Sequence, residues 1–119
     1  MNKTTDRYLY TIQILKESYH CVRAIDLVHY LSCSKPTVSS ALRQMREQSL
    51  IEVEPDGNLL FTPDGKKRVD ELDHRIRFFQ EHLTAAGVDR DTAIRDAVSF
   101  SWEMSEASFH ALRSLLSRD

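Results

Sequence analysis

Residues 24–48, Ala-Ile-Asp-Leu-Val-His-Tyr-Leu-Ser-Cys-Ser-Lys-Pro-Thr-Val-Ser-Ser-Ala-Leu-Arg-Gln-Met-Arg-Glu-Gln, constrain the fold more than any other stretch. Ile25, Leu27, Val28 and Leu31 recur at the three- and four-residue spacings of one buried helical face. A polar break, Ser32-Cys33-Ser34, follows, and a second helix is expected to open at Pro36. Proline suits a first helical position because the N–H it lacks would have no intrahelical acceptor. Val38, Ala41, Leu42 and Met45 then form a core stripe. Two helices joined by so short a break read as a helix-turn-helix, whose second helix enters the DNA major groove. Its outer face or edges carry Thr37, Ser39, Ser40, Arg43 and Gln44, beside Pro36, and Ser34 and Lys35 come just before it. Hydroxyls, a guanidinium and an amide are the groups that reach phosphates and base edges, so these residues form the candidate DNA-binding set. An ordinary amphipathic hairpin would share the periodicity. Turn, proline and polar face together favour DNA.

The next residues extend the motif. Leu50-Ile51-Glu52-Val53-Glu54 alternates like a short strand, and Asn58-Leu59-Leu60-Phe61 reads as its partner. Pro55-Asp56-Gly57 between them is turn chemistry, with glycine available for positive φ. A hairpin directly after a recognition helix is a wing. This one carries Glu52, Glu54 and Asp56, so its affinity for phosphates should be poor.

Charge limits the DNA reading. Residues 1–62 hold equal numbers of Lys/Arg and Asp/Glu, and the whole chain has a formal net charge of −2. Phosphate neutralisation drives non-specific binding and usually leaves a basic excess. Any positive field must therefore be local, from Lys35, Arg43 and Arg46, with Lys66-Lys67-Arg68 nearby in sequence. One copy should bind weakly; two copies on a palindrome would roughly double the contacts. The expected partners are thus double-stranded palindromic DNA and a second copy of the chain, a homodimer.

At 119 residues and 41% hydrophobic content, the chain can build one modest core, and a partner subunit would help complete it. No apolar run approaches the roughly 20 residues of a membrane span, and no signal-peptide pattern opens the sequence. Two cysteines suggest a reduced, cytoplasmic protein. An enzyme is not expected. There is no glycine-rich phosphate loop and no nucleophile with an identifiable base, and His20, His29, His82 and His110 are scattered.

The second half reads as helices. Thr62-Pro63-Asp64-Gly65 is a helix entry, and Val69, Leu72, Ile76, Phe79 and Leu83 form a stripe to about Thr84, closed by Ala86-Gly87-Val88. A further helix starts at Asp89-Arg90-Asp91 and runs to about Glu103. Ser105 caps a last one through Phe109, Leu112 and Leu115-Leu116. The expected fold is mainly α: a winged helix-turn-helix DNA-binding domain over 1–62, then a helical dimerisation domain over 63–119.

Several short matches fall in one consistent order: Tyr8-Leu9 with Thr11-Ile12, Val22-Arg23, Ser34 to Ser39, Gly57 before Leu59 to Thr62, Gly65, His74-Arg75, Gly87-Val88-Asp89, Asp96-Ala97 and Met104-Ser105. Together they resemble the metal-dependent repressors typified by the diphtheria toxin repressor and the manganese transport regulator. The resemblance runs from Tyr8 to Leu116 and implies a short form without the SH3-like domain. It implies that Ser34 and Pro36 approach thymine methyl groups while Thr37 and Ser39 help hold phosphates. It also implies a repressor whose family ligand is Mn(II) or Fe(II).

The ligand positions tell against that metal here. Two on the first helix correspond to Arg7 and Tyr10, and three later ones to Val98, Ser101 and Trp102; His74 alone keeps a family ligand. A guanidinium brings positive charge where a cation should sit, and one imidazole does not make a metal site. No cofactor is therefore expected. Four readings of the altered site stay open. Metal could return at a site rebuilt around His74 with Asp6, Glu81 or Glu103. Cys21 and Cys33 could sense oxidants. An organic effector could sit among Tyr10, Phe78, Phe100 and Trp102. Those aromatics could instead simply fill the vacated volume, which is the leading view. A module that keeps the fold but abandons DNA for protein partners is the rival to the whole DNA reading.

Overall fold

The computed structural model describes residues 3–117. They form six helices and a two-stranded sheet: α1 (Lys3–Ser18), α2 (Ala24–Leu31), α3 (Lys35–Glu47), β1 (Ile51–Val53), β2 (Leu59–Phe61), α4 (Pro63–Ala85), α5 (Arg90–Glu103) and α6 (Glu106–Leu116). The mainly helical winged helix-turn-helix architecture is the expected one. The chain divides into two compact units, Met1–Glu71 and Leu72–Asp119. The division falls inside α4, later than its start at Pro63. The first turns of α4 pack into the first unit: Val69 joins the core of α1–α3 and the wing.

In the first unit, α1 buries Tyr8, Leu9, Ile12 and Leu15 against Leu27 of α2 and Val38, Leu42 and Met45 of α3. The stripe predicted for α3 is the buried one, with Ala41 at its edge. α2 differs from expectation. Leu27 is fully buried, but Ile25 is 39% exposed and lines a groove with Ala24, Val28, Lys35 and Ser39. An eight-residue helix wedged between two others has room for one fully covered apolar position here.

β1 and β2 pair antiparallel, with Ile51 opposite Phe61 and Val53 opposite Leu59. The strict alternation expected of Leu50 to Glu54 is not observed. Leu50 and Ile51 are both buried, because the chain leaves α3 through Ser49 in the left-handed region, φ 59°, and turns Leu50 inward before the strand begins; Val53, on the face of Ile51, is exposed where it lines the groove beside α3. Gly57 supplies the positive φ of the wing turn, at 92°. The wing is tied back to the α1–α2 connection: the Leu59 N–H donates to the Val22 carbonyl at 2.8 Å, and the Val22 N–H to Asn58 Oδ1 at 3.1 Å.

The second unit continues the α4 stripe through Leu72, Ile76 and Phe79, all buried. Gly87, φ 101°, follows the helix end, and Asp89 and Ser105 cap α5 and α6 by accepting from the Thr92 and Ser108 N–H groups. Hydrogen bonds from Thr92, side chain first and then backbone, hold the Asp89 carboxyl below its ordinary pKa. Phe109 is the centre of an aromatic cluster, with Phe78 and Phe79 rings at 5.7 Å. Phe100 meets Phe79 edge-on at 5.6 Å. Arg75, 4% exposed, lays its guanidinium 4.7 Å from the Phe109 centroid and donates to the Met104 and Ser105 carbonyls. A buried arginine thereby satisfies the carbonyls where α5 ends. Nothing in the local sequence announces it.

Candidate nucleic-acid interface

α3 begins at Lys35, one residue before the expected start, and Pro36 sits second. The N–H lost there is still one of the unpaired first four, so the helix is not weakened. Ser34 is the N-cap: its Oγ accepts from the Thr37 N–H at 3.2 Å and lies 2.7 Å from Thr37 Oγ1. The two hydroxyls thus orient each other at the positive end of the helix, where backbone N–H groups favour an anion. Lys35, Pro36, Thr37, Ser39, Arg43 and Gln44 are exposed along this face, and Ser40 is half-buried at its edge. Thr37, Ser39, Ser40, Arg43 and Gln44 lie on or beside the side of α3 away from Val38, Leu42 and Met45, while Ser34 and Lys35 are exposed at its N-terminal end beside Pro36.

Two residues outside the predicted set join them. A groove of about 490 Å³ between α3 and the wing is lined by Arg23, Arg43, Arg46, Ser39, Ile25 and Val53, among others. Arg46 was legible as charge in the sequence. Arg23 was not, because its place is set from the wing. Its Nε donates to the Asp56 carbonyl at 2.8 Å, and a guanidinium nitrogen lies 3.9 Å from the Asp56 carboxylate. That ion pair is exposed on both sides and contributes little by itself. Its effect is to place a cation at the foot of the wing turn. The wing acids are partly engaged internally as well: Asn58 donates its backbone N–H to Asp56 and its side-chain amide to Glu54.

The basic run at 66–68 does not add to this field as a block. Arg68 turns inward, where its Nε and terminal nitrogen bind both oxygens of buried Asp6 at 2.9 and 2.8 Å, and Lys66 pairs with Asp70 at 3.1 Å. The cations at the α3 face are Lys35, Arg23, Arg43 and Arg46, and Glu47 and Glu52 line a neighbouring groove with the last two.

The residues at the family's ligand positions do not fit a divalent ion. Arg7 is an exposed cation on α1. Ser101 is fully buried, and its hydroxyl donates to the Ala97 carbonyl at 2.8 Å, which turns it into the helix's own backbone. Val98 and Trp102, both half-buried, offer carbon and an indole N–H, and His74 is exposed. Among the described residues no three His, Cys, Asp or Glu side chains are grouped so as to hold a metal. Phe78 and Phe100, considered above as walls of an effector pocket, make ring contacts with Phe109 and Phe79.

Residues 1–59 match the family described as iron dependent repressor, N-terminal DNA binding domain. The transcriptional regulator MntR of Escherichia coli O157:H7 is 30% identical over 108 residues, covering 91% of this chain and 70% of that protein. The diphtheria toxin repressor of Corynebacterium glutamicum is 32% identical over 81 residues, covering 68% of this chain and 36% of its own length. A solved manganese-dependent transcriptional repressor in complex with manganese has the same fold, with a TM-score of 0.78 over 94% of this chain at 22% identity. The present chain spans 52% of that structure. Fold and matches together define a winged-helix protein of the transcriptional-repressor class. The chain belongs to the iron-dependent repressor family. Among its described residues no helix is long and apolar enough to cross a membrane.

Proposed function

We infer that this chain is a sequence-specific DNA-binding repressor, working as a homodimer in the cytoplasm on a palindromic operator, and that it does so without the family's Mn(II) or Fe(II). The observation that carries the DNA reading is the α3 face. Its hydroxyls stand at a capped helix N-terminus, and Arg43 and Gln44 are exposed two turns further on, beside an arginine-lined groove. In this reading Ser34 and Pro36 approach thymine methyl groups, Thr37 and Ser39 help hold phosphates, and Arg43 and Gln44 make the longer-range contacts. Small hydroxyl side chains make few bidentate base contacts, so readout leans on A/T-rich shape as much as on base edges. A second copy supplies what one weakly charged module lacks, and Phe100, Leu115 and Leu116 are exposed apolar residues on α5 and α6 available to it.

Metal independence is supported by the chemistry of Arg7, Tyr10, Val98, Ser101 and Trp102, which replaces anionic and imidazole donors with a cation, a phenol, carbon, a committed hydroxyl and an indole. The competing reading, a protein-interaction module, draws on the exposed acids Glu52, Glu54 and Asp56 of the wing.

Retention on a duplex DNA column separates the two. Wild-type protein is expected to bind at low salt and elute with a log–log salt dependence. Arg43→Ala should weaken retention on all sequences and reduce the salt slope by about one per subunit. No retention of the wild type at low salt would move the interaction module to first place.

A further inference from the structure

Two hollows beside α3 form one trough with a floor that DNA reading does not use. The larger, about 490 Å³, lies between α3 and the wing, and the smaller, about 350 Å³, between α2 and the start of α3. They adjoin across Ala24, Ile25 and Ser39, which line both. The floor is aliphatic. Leu42 and Leu59 are its buried base in the larger hollow, and Val28, one turn from Ala24 on α2, continues it in the smaller. Ile25 and Val53 add two branched side chains, each left 39% exposed. Phosphates gain nothing from such a surface, and leaving it wet costs free energy. The rim is cationic. Arg23 is partly engaged, with its stem across Gly57 and its Nε on the Asp56 carbonyl. Arg43 and Arg46 form no ion pair or side-chain hydrogen bond among the described residues, although Glu47 and Glu52 line a groove beside them. An occupant that suits both floor and rim joins an anionic head to an elongated aliphatic body.

We propose that this trough binds a free medium-chain fatty acid, its carboxylate on Arg43 and Arg46 and its chain over Ile25 and Val53 towards Val28. A guanidinium offers a carboxylate two parallel N–H donors, which fixes the head more firmly than a point charge does. Each hollow has the volume of a small-molecule site. An aliphatic chain fits better than a flat ring, since among the described residues no aromatic side chain lines either hollow. Each methylene that leaves water strengthens binding, by about fourfold when burial is complete and about twofold in a trough open along one side. Ser39, Arg43 and Arg46 also belong to the face assigned above to DNA. Fatty acid and duplex therefore exclude each other, and the fatty acid releases the operator. That consequence rests on the DNA-binding reading of the preceding subsection; occupancy of the trough does not.

The full chain is dialysed to equilibrium against dodecanoate below its micellar concentration, then against octanoate and against the methyl ester of dodecanoate. One dodecanoate should bind per chain. Octanoate, four methylenes shorter, should bind about tenfold more weakly or worse, and so should the uncharged ester. The double variant Arg43→Ala/Arg46→Ala should weaken dodecanoate about tenfold. Val53→Asp, which sets an acid in the exposed part of the floor, should do the same. Dodecanoate should release a bound duplex from the wild type at a concentration where octanoate does not. Absence of dodecanoate binding, or equal affinity for octanoate and dodecanoate, would overturn the proposal, the second by showing a bare anion site. Binding unchanged in both variants would put the ligand elsewhere on the chain and overturn the site. Saturable binding without release of DNA would overturn the effector role. A chain that retains no DNA before any ligand is added would count against the DNA-binding reading alone, since the dialysis stands apart from it.

Discussion

Arg68→Leu is expected to destabilise the first unit by about 3–5 kcal/mol, because it strips the partner from a buried carboxylate. Asp6 is 3% exposed on α1, and both its oxygens are bound by one guanidinium from α4. This is the bidentate geometry that makes arginine the preferred partner of a carboxylate. The accompanying Arg68–Glu71 contact at 3.1 Å has its carboxylate half in solvent and adds little. The pair itself need not be strongly stabilising, since each ion was desolvated to form it. What is costly is half of it. The double variant Asp6→Leu/Arg68→Leu should therefore recover most of the loss. Urea unfolding of the two variants beside wild type measures this. A single variant as stable as wild type would mean that α1 and the start of α4 are not joined in this way.

Gly65→Ala is expected to cost at least about 3 kcal/mol, the upper end of what overpacking a tight site does. In an ordinary helix the same change stabilises by about 1 kcal/mol. Here a Cβ would stand 1.9 Å from the Leu50 carbonyl oxygen and 2.9 Å from its carbon, both backbone atoms that cannot swing aside. The surroundings are also stitched in place. Thr62 donates its N–H to the Leu50 carbonyl and its hydroxyl to the Ser49 carbonyl, and its Oγ1 accepts from the Gly65 N–H. One threonine and one glycine thus bind the end of α3, the return of the wing and the first turn of α4. Unfolding of Gly65→Ala at the wild-type denaturant midpoint would show that this junction is loose.

Much of the fold could be read from local pattern. The face of α3 was legible because Val38, Leu42 and Met45 fall at helical spacing, and Ser34 and Pro36 mark the start chemically. Asp89, Ser105 and Gly87 announced their helix ends for the same reason: caps and left-handed glycines act on the nearest few residues. Ile25 and Val53 were misread because periodicity identifies apolar positions and not which neighbour covers them. Both line the groove beside α3 instead of the core. Leu50 defeated the alternation because a left-handed Ser49 rotates the chain just before it. Asp6 with Arg68, and Arg75 with the Met104 and Ser105 carbonyls, are pairings across long sequence separations. No local spacing encodes them. Arg23 belongs to the same group, since its position depends on a wing turn far along the chain. The ligand positions were legible as substitutions, while the inward turn of the Ser101 hydroxyl needed coordinates.

The most direct measurement of the central claim is binding to an A/T-rich palindrome library, made once with a chelator and once with added Mn(II) or Fe(II). Arg7, Tyr10, Val98, Ser101 and Trp102 predict the same affinity and the same selected sequences in both. Binding that appears with metal and vanishes with chelator would contradict that prediction and direct attention to a site rebuilt around His74.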